Sequence, residues 1–217
     1  MKNDNFDYIY ESYIDELEYK SGIFRVPWGT STNFKNESVS YAISGVYPNY
    51  QMIENQLMVE GRYIDQMDLD KRNKVVVISN KIKQELLKNV EDPLEEYLQI
   101  SGINFRVVGV YSDVGGDREE NNLFVPFTTA QSVFNGADRL NNLSFTLKPE
   151  KNFDEAVKAS NIFTAEIKQY LQEVHTVSPD DNSAINVHNM LDEAKRFYTL
   201  TDNIAFFFWF VGICTII

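Results

Sequence analysis

Residues 38–46 read Ser-Val-Ser-Tyr-Ala-Ile-Ser-Gly-Val, with Val39, Tyr41 and Ile43 set against Ser38, Ser40, Ala42 and Ser44. Successive side chains of a strand point to opposite faces, so this alternation predicts a half-buried strand over Ser38–Val46 that Pro48 ends. Downstream, Val75 to Ile78 is an unbroken β-branched run and reads as a buried strand. Ser79 is placed to cap a helix carrying Ile82, Leu86 and Leu87, which Asp92-Pro93 breaks. Leu98 to Tyr111 reads as a hairpin turning at Ser101-Gly102. Between these, Asn49–Met58 admits a short helix and Gly61-Arg62 marks a turn. Asp113–Asn122, with Gly115-Gly116, reads as a loop. Leu123–Phe127 is a short strand, Thr128 or Thr129 caps a brief helix, and Gly136 ends it.

The flanks are more helical. Phe6, Ile9, Tyr10, Tyr13, Ile14 and Leu17 recur at helical spacing, with Gly22 placed to close the helix. Tyr8, Tyr10, Tyr13 and Tyr19 form an aromatic stripe that fits a core better than a ligand groove. Leu143, Phe145 and Leu147 alternate as a strand. Asn152 and Glu155 resemble a capping box. The helix they open carries Phe153, Ala156, Val157, Phe163, Ile167, Tyr170, Leu171 and Val174. Ile185 to His188 reads as a short strand, and a last helix starts at Met190. It meets no Pro or Gly before Ile204–Ile217, IAFFFWFVGICTII, a charge-free run. A core helix keeps a polar face, and this run has none. It therefore reads as the start of a transmembrane helix, aromatic at its entry. Cys214, inside it, is an apolar filler.

Composition narrows the function classes. The 217 residues hold 20 Lys plus Arg against 32 Asp plus Glu, a net charge of −12. Such a balance argues against a nucleic-acid partner, which needs a basic face. One cysteine excludes an intrachain disulfide, and two histidines fall short of a Cys/His zinc site. No Gly-x-Ser-x-Gly, no phosphate loop, no dinucleotide fingerprint and no His-Glu-x-x-His occurs. Asp68 with Asp70, and Asp113, Asp117, Glu119 and Glu120 in one loop, offer oxygens to calcium without the EF-hand spacing. They read as solvated acids. His175 and His188 lack a nucleophile or a third ligand and read as structural. Asn36 and Asn142 match a weak glycosylation pattern inside expected strands. The residues thus mark no catalytic, cofactor-binding or metal position.

A family pattern emerges from ordered strings. Ile43-Ser44-Gly45-Val46-Tyr47-Pro48-Asn49-Tyr50 is followed by Gly61-Arg62-Tyr63-Ile64 and Val75-Val76-Val77-Ile78. Then come Phe105-Arg106-Val107-Val108-Gly109-Val110 and Asn122-Leu123-Phe124-Val125-Pro126-Phe127-Thr128-Thr129-Ala130-Gln131. In this order and spacing they resemble the periplasmic core domain of MacB-type ABC transporter permeases, related to FtsX-type permeases, over roughly residues 23–203. A departure is Asp92-Pro93-Leu94-Glu95, where that family usually has Gly at the last place. The resemblance implies an α+β fold: a porter-like subdomain, split in sequence, with an inserted β-rich subdomain, then the start of a transmembrane helix. It implies one membrane helix before the domain and three after it, a homodimer or heterodimer, and an ABC ATPase, fused or separate. A periplasmic adaptor protein and a bacterial inner-membrane location, with this domain on the periplasmic side, belong to the same picture. Substrates of such transporters are peptides, drugs or lipoproteins.

The expected domains are 1–48 (porter-like, first part), 49–140 (inserted, β-rich), 141–203 (porter-like, second part) and 204–217 (membrane helix). The stalk helices are expected at Asn5–Lys20 and Met190–Asn203. The inserted subdomain and the loop Asp113–Asn122 are expected to face a partner protein. The expected role is transmission of ATP-driven movement across the membrane, with no cofactor and no catalysis by this chain. An extracellular ligand-sensing domain of a membrane receptor is the alternative, and it predicts one compact pocket with converging polar groups. A membrane-tethered hydrolase would need a histidine paired with a carboxylate and a hydroxyl.

Overall fold

The run at 75–79 lies in the middle of a mixed sheet. In the computed structural model, residues 1–113, 119–178, 180–181 and 183–201 are described. The chain opens with α1 (Asn3–Ser12), β1 (Leu17–Arg25), β2 (Ser31–Phe34), β3 (Glu37–Ser40), β4 (Ala42–Val46) and α2 (Tyr50–Ile53). It continues with β5 (Leu57–Gly61), α3 (Gln66–Asp70), β6 (Val75–Ser79) and α4 (Asn80–Leu86). Next come β7 (Tyr97–Ile100), β8 (Ile103–Ser112), β9 (Asn122–Pro126), α5 (Phe127–Val133), β10 (Asn142–Leu147) and α6 (Phe153–Val174). A further helix, α7, covers 190–201.

The strand order is β10-β1-β4-β9-β6-β8-β7-β2-β3, with β5 paired to β8 beside this path. β4 runs parallel to β9 and β6 parallel to β8, while β6 and β9 are antiparallel. The fold is thus α+β with a large mixed sheet. Strands of the 1–48 and 49–140 segments share it, β4 lying beside β9, and β10 of the third segment lies beside β1. The chain divides into two compact units, Met1–Thr146 and Leu147–Ile217.

Central strands are buried on both faces, which is why they read as unbroken apolar runs. All five residues of β6 are buried, and Val76, Val77, Ile78, Phe105, Val107, Val110, Leu123 and Val125 have no exposure. Each such side chain contributes about 1.5–3 kcal/mol of transfer free energy. The hairpin forms as expected: Tyr97 pairs with Arg106 and Ile100 with Ile103. Ser101 (φ 50°) and Gly102 (φ 81°) make the left-handed two-residue turn that matches strand twist. Ser79 Oγ accepts from the Ile82 amide (3.0 Å), and Asn152 Oδ1 from the Glu155 amide (2.9 Å), so both expected caps are present.

Two glycines let β5 cross close over β8. Gly61 has φ +68°, and a Cβ on Gly109 would lie 2.1 Å from the Arg62 carbonyl oxygen.

Several local expectations are overturned. The first helix does not run from Phe6 to Leu17 under a Gly22 cap, nor through Asn5–Lys20. It stops at Ser12 with Tyr13 as its C-cap, and Gly22 lies inside β1. Ser21 to Phe24 are buried there, and sheet burial outweighs helical spacing. Ser38–Val46 divides into β3 and β4, and Val39 is exposed because β3 is the outermost strand. By contrast, the short helix admitted over Asn49–Met58 is present as the four-residue α2, with β5 following at Leu57. Pro126 precedes α5 without a side-chain cap, and Thr128 and Thr129 bond elsewhere. Ile185–His188 is irregular rather than a strand. The tyrosine stripe is not core: Phe6 and Ile9 are the buried apolar residues of α1, and Tyr8 is exposed.

Candidate functional site

Of the acids weighed for metal binding, Asp68, Asp70, Asp113 and Glu120 are engaged in local hydrogen bonds. Asp70 is exposed and accepts from Gln66 Nε2 (2.8 Å), whereas Asp68 is fully buried. Glu120 braces the start of α4: its carboxylate accepts from the Lys81 amide (3.2 Å), Ser112 Oγ (2.9 Å) and the Asp113 amide (3.2 Å). Asp117 and Cys214, like the apolar run 204–217, lie outside the described residues. His175 closes α6, its amide bonding to the Leu171 carbonyl (3.1 Å). His188 is exposed beside Asn186 (3.1 Å) and Glu193 (3.8 Å). Among the described residues no group of three or more His, Cys, Asp or Glu side chains is set to hold a metal ion. Among them, too, no helix is long and apolar enough to cross a membrane.

The organised chemistry lies instead in joints between elements. Asp65 and Asp68 form a reciprocal capping box at the start of α3. Arg62, delivered by the end of β5, reaches Asp68 with Nη1 at 2.6 Å and Nη2 at 3.2 Å, and Asn73 Nδ2 adds a third donor at 2.9 Å. Burial disfavours the Asp68 carboxylate. The hydrogen bonds from Arg62 and Asn73 and from the Asp65 amide outweigh it and hold the carboxyl below its ordinary value. Thr128 Oγ1 donates to the Leu69 carbonyl (2.6 Å) and Thr129 Oγ1 to the Asn73 carbonyl (3.0 Å), fastening α5 to the segment around α3. These donations are the work of the two threonines expected as caps.

A second joint carries α1. Gln131 and Asn3 exchange side-chain hydrogen bonds at 2.9 and 3.2 Å, and Gln131 also donates to the Arg139 carbonyl (2.9 Å). Phe6 is buried 5.1 Å from the Tyr47 ring and 6.0 Å from Phe145. Lys20 lies over the Phe6 and Tyr10 rings, and burial lowers its ammonium to about 8 against the pull of Asp7 and Glu11. α1 is thus bolted to the sheet rather than free. Residues from four of the five strings quoted above serve as joints or close approaches; Val75-Val76-Val77-Ile78 is core. The Arg62–Asp68 joint was not foreseen, although the Asp-x-x-Asp spacing after Arg62 signals a cap with an available cation.

In the helical unit α6 and α7 lie antiparallel. Asn189 meets Ser160 and Asn161, and Lys195 pairs with Asp154 (2.7 Å). Tyr198 meets Phe153 edge-on at 5.9 Å. Two clefts open here, both to solvent. One of about 270 Å³ is lined by Asn161, Thr164, Lys168 and Asn186 among others, and one of about 450 Å³ by Asp192, Lys195, Arg196, Thr199 and Leu200.

With the geometry in place, similarity to known proteins decides the family. The sequence pattern of the MacB-like periplasmic core domain matches residues 5–161. The chain belongs to the MacB-like periplasmic core domain family. Among relatives, the pyoverdine export ATP-binding/permease protein PvdT of Pseudomonas fluorescens (strain Pf0-1) is 29% identical over 171 residues. That match covers 76% of this chain and 24% of the relative. The macrolide export ATP-binding/permease protein MacB of Rhodospirillum rubrum is 26% identical over 131 residues, covering 58% of this chain and 20% of the relative. The periplasmic region of MacB from Actinobacillus actinomycetemcomitans superposes with a TM-score of 0.67 at 21% identity, over 81% of this chain and 75% of that one. The extracellular domain of the ABC-type transporter YknZ from Gram-positive bacteria gives 0.65 at 16%, over 82% and 86%. These two structures share the fold with the MacB-like domain described here. The chain spans about a quarter of the length of the curated relatives it matches.

Proposed function

We propose that this MacB-like domain is the extracytoplasmic part of an ABC exporter permease and passes ATP-driven movement from the membrane to partners outside it. The observation that carries this reading is the family match over residues 5–161, together with relatives named as export ATP-binding/permease proteins. The domain works as a lever, without catalytic residues of its own. α1 enters the sheet through the Asn3–Gln131 joint, and α7 leads from α6 toward the charge-free run 204–217, read as the start of a membrane helix. In this reading the stalk is α1, ending at Ser12, and α7.

The same proposal includes an ATPase, fused or separate, a homodimer or heterodimer of permeases, a periplasmic adaptor contacting residues 49–140 and the 113–122 loop, and an inner-membrane location. The division into 1–48, 49–140 and 141–203 is part of it. Peptides, drugs or lipoproteins are the substrate classes. The experiment is to determine the full encoded chain and its neighbouring genes. One apolar helix before the domain, three after it and an ABC ATPase in the same chain or operon is the expected result. A single following helix that leads into a cytoplasmic signalling domain would overturn it in favour of a receptor.

A further inference from the structure

The geometry points to Asn189 as a clamp that fixes the start of α7 to α6 while leaving the rest of α7 free to shift. The lever role of this clamp rests on the stalk reading above; its existence does not.

The Asn189 amide group does two jobs at once. Its oxygen accepts from the Leu191 and Asp192 amides (3.2 and 3.3 Å), and its carbonyl receives the Glu193 amide (3.1 Å). It is therefore the N-cap of α7, satisfying donors that a helix start leaves open. Its Nδ2 faces the other way, donating to Ser160 Oγ (3.1 Å) and Asn161 Oδ1 (2.8 Å) on α6. Ser160 is buried and donates in turn to the Val157 carbonyl (2.9 Å), so the far side of the clamp is anchored within α6.

The other contacts of α7 are weaker, among them a long hydrogen bond from Asn161 Nδ2 to Asp192 Oδ1 (3.5 Å). Among the described residues of α7 none is buried; Met190, Phe197, Tyr198 and Leu200 are exposed. The Lys195–Asp154 pair is solvent-exposed, and pairs of that kind contribute little. The Phe153–Tyr198 contact is made by two exposed rings. α7 is thus held firmly at one end and loosely along its length, which is the layout of a pivot. A force applied beyond residue 201 would turn α7 about Asn189 and reach α6 at Ser160 and Asn161.

The two jobs can be separated. Asn189→Ser keeps a capping oxygen but is too short to reach α6. Ser160→Ala leaves Asn189 intact and is the cleaner removal of one of its acceptors. It is paired with Asn161→Ala, which removes the other acceptor but also deletes the Asn161–Asp192 bond. Spin labels on the exposed Lys158 and Thr199 positions of the 217-residue chain report the α6–α7 distance. Amide exchange of 191–199 reports whether α7 stays helical and capped. The clamp predicts that these three variants broaden the distance distribution, while Asn189→Ser leaves exchange within about twofold of wild type. Asn189→Ala, which loses the cap too, should raise exchange in the first turn about fivefold. Distance distributions identical to wild type in Asn189→Ser and Ser160→Ala would overturn the clamp. If the clamp holds but the same variants in the full-length transporter export at the wild-type rate, the clamp stands and the lever role falls.

Discussion

The sheet unit and the helical unit are stabilised by opposite means. In Met1–Thr146 the strands bury β-branched and aromatic residues on both faces, and the charged side chain that enters the interior, Asp68, is met there by Arg62 and Asn73. In the unit from Leu147 onward, α7 buries no described side chain, and its ties to α6 include the Asn189 amide, a long Asn161–Asp192 hydrogen bond, an exposed ion pair and an edge-on ring contact. The first arrangement resists deformation, since close-packed interiors lose contacts whenever elements shift. The second tolerates it along most of α7, since solvent replaces an exposed ion pair at little cost and only the Asn189 end is firmly held. The proposed lever would need both: a body that keeps its shape and an attachment that turns.

The largest effect should come from emptying the rigid body. Phe105 has no exposure, and Phe105→Ala should lower unfolding stability by about 3–5 kcal/mol in a urea titration. Its counterpart Phe197→Ala, on an exposed position of α7, should stay within about 0.5 kcal/mol. Equal losses would erase the contrast between the units.

Next is the Arg62–Asp68 joint. Arg62→Ala leaves a buried carboxylate short of its main partner and should cost about 2–3 kcal/mol, Arg62 itself being partly exposed. The pH dependence has a definite sign. The Asp68 pKa is lowered in the folded state, so its contribution is complete above the ordinary carboxylate range, about pH 4, and is lost as pH falls through the folded value. The stability gap between wild type and Asp68→Asn should therefore be widest at neutral pH and close in acid. A gap that widens in acid would show that the joint does not favour the ionised carboxyl.

Smaller again is the α6 cap: Asn152→Ala should cost about 1 kcal/mol and raise amide exchange only in the first turn of α6. Spread of that exchange into β6 would show the two units to be one cooperative body. The smallest change should be a gain. Among the described residues the buried Tyr63 hydroxyl has no hydrogen-bond partner, and burial, with Tyr50, Tyr111 and Glu54 nearby, raises its pKa well above the ordinary tyrosine value. Tyr63→Phe should stabilise by up to about 1 kcal/mol. A loss would reveal a partner for that oxygen.

What the sequence disclosed follows the range of the forces involved. The β6 run, the hairpin turning at Ser101-Gly102 and the Ser79 and Asn152 caps depend on residues within a few positions of each other, and each is readable. The helix expected over Asn5–Lys20 yields to β1 from Leu17, because Phe6, Ile9, Tyr13 and Leu17 keep helical spacing while the partners of β1, β4 and β10, lie far along the chain. Thr128 and Thr129 look like caps, but their acceptors are the carbonyls of Leu69 and Asn73, more than fifty residues away. The joints escaped for the same reason: no local pattern brings Gln131 to Asn3. The family strings nonetheless marked several of these places, since Gly61-Arg62 and Thr128 to Gln131 hold residues that the joints require.

The most direct test of the lever places one spin label at Thr199 of the full-length protein, reconstituted with its ATPase in lipid vesicles. Label-to-label distances between the two copies of the dimer are then compared without nucleotide and with ATP trapped in the ATPase. The account predicts a nucleotide-dependent change in that distance, abolished by an ATPase variant that cannot bind ATP. Identical distances in both states would contradict it, leaving the MacB-like domain a passive attachment to the membrane.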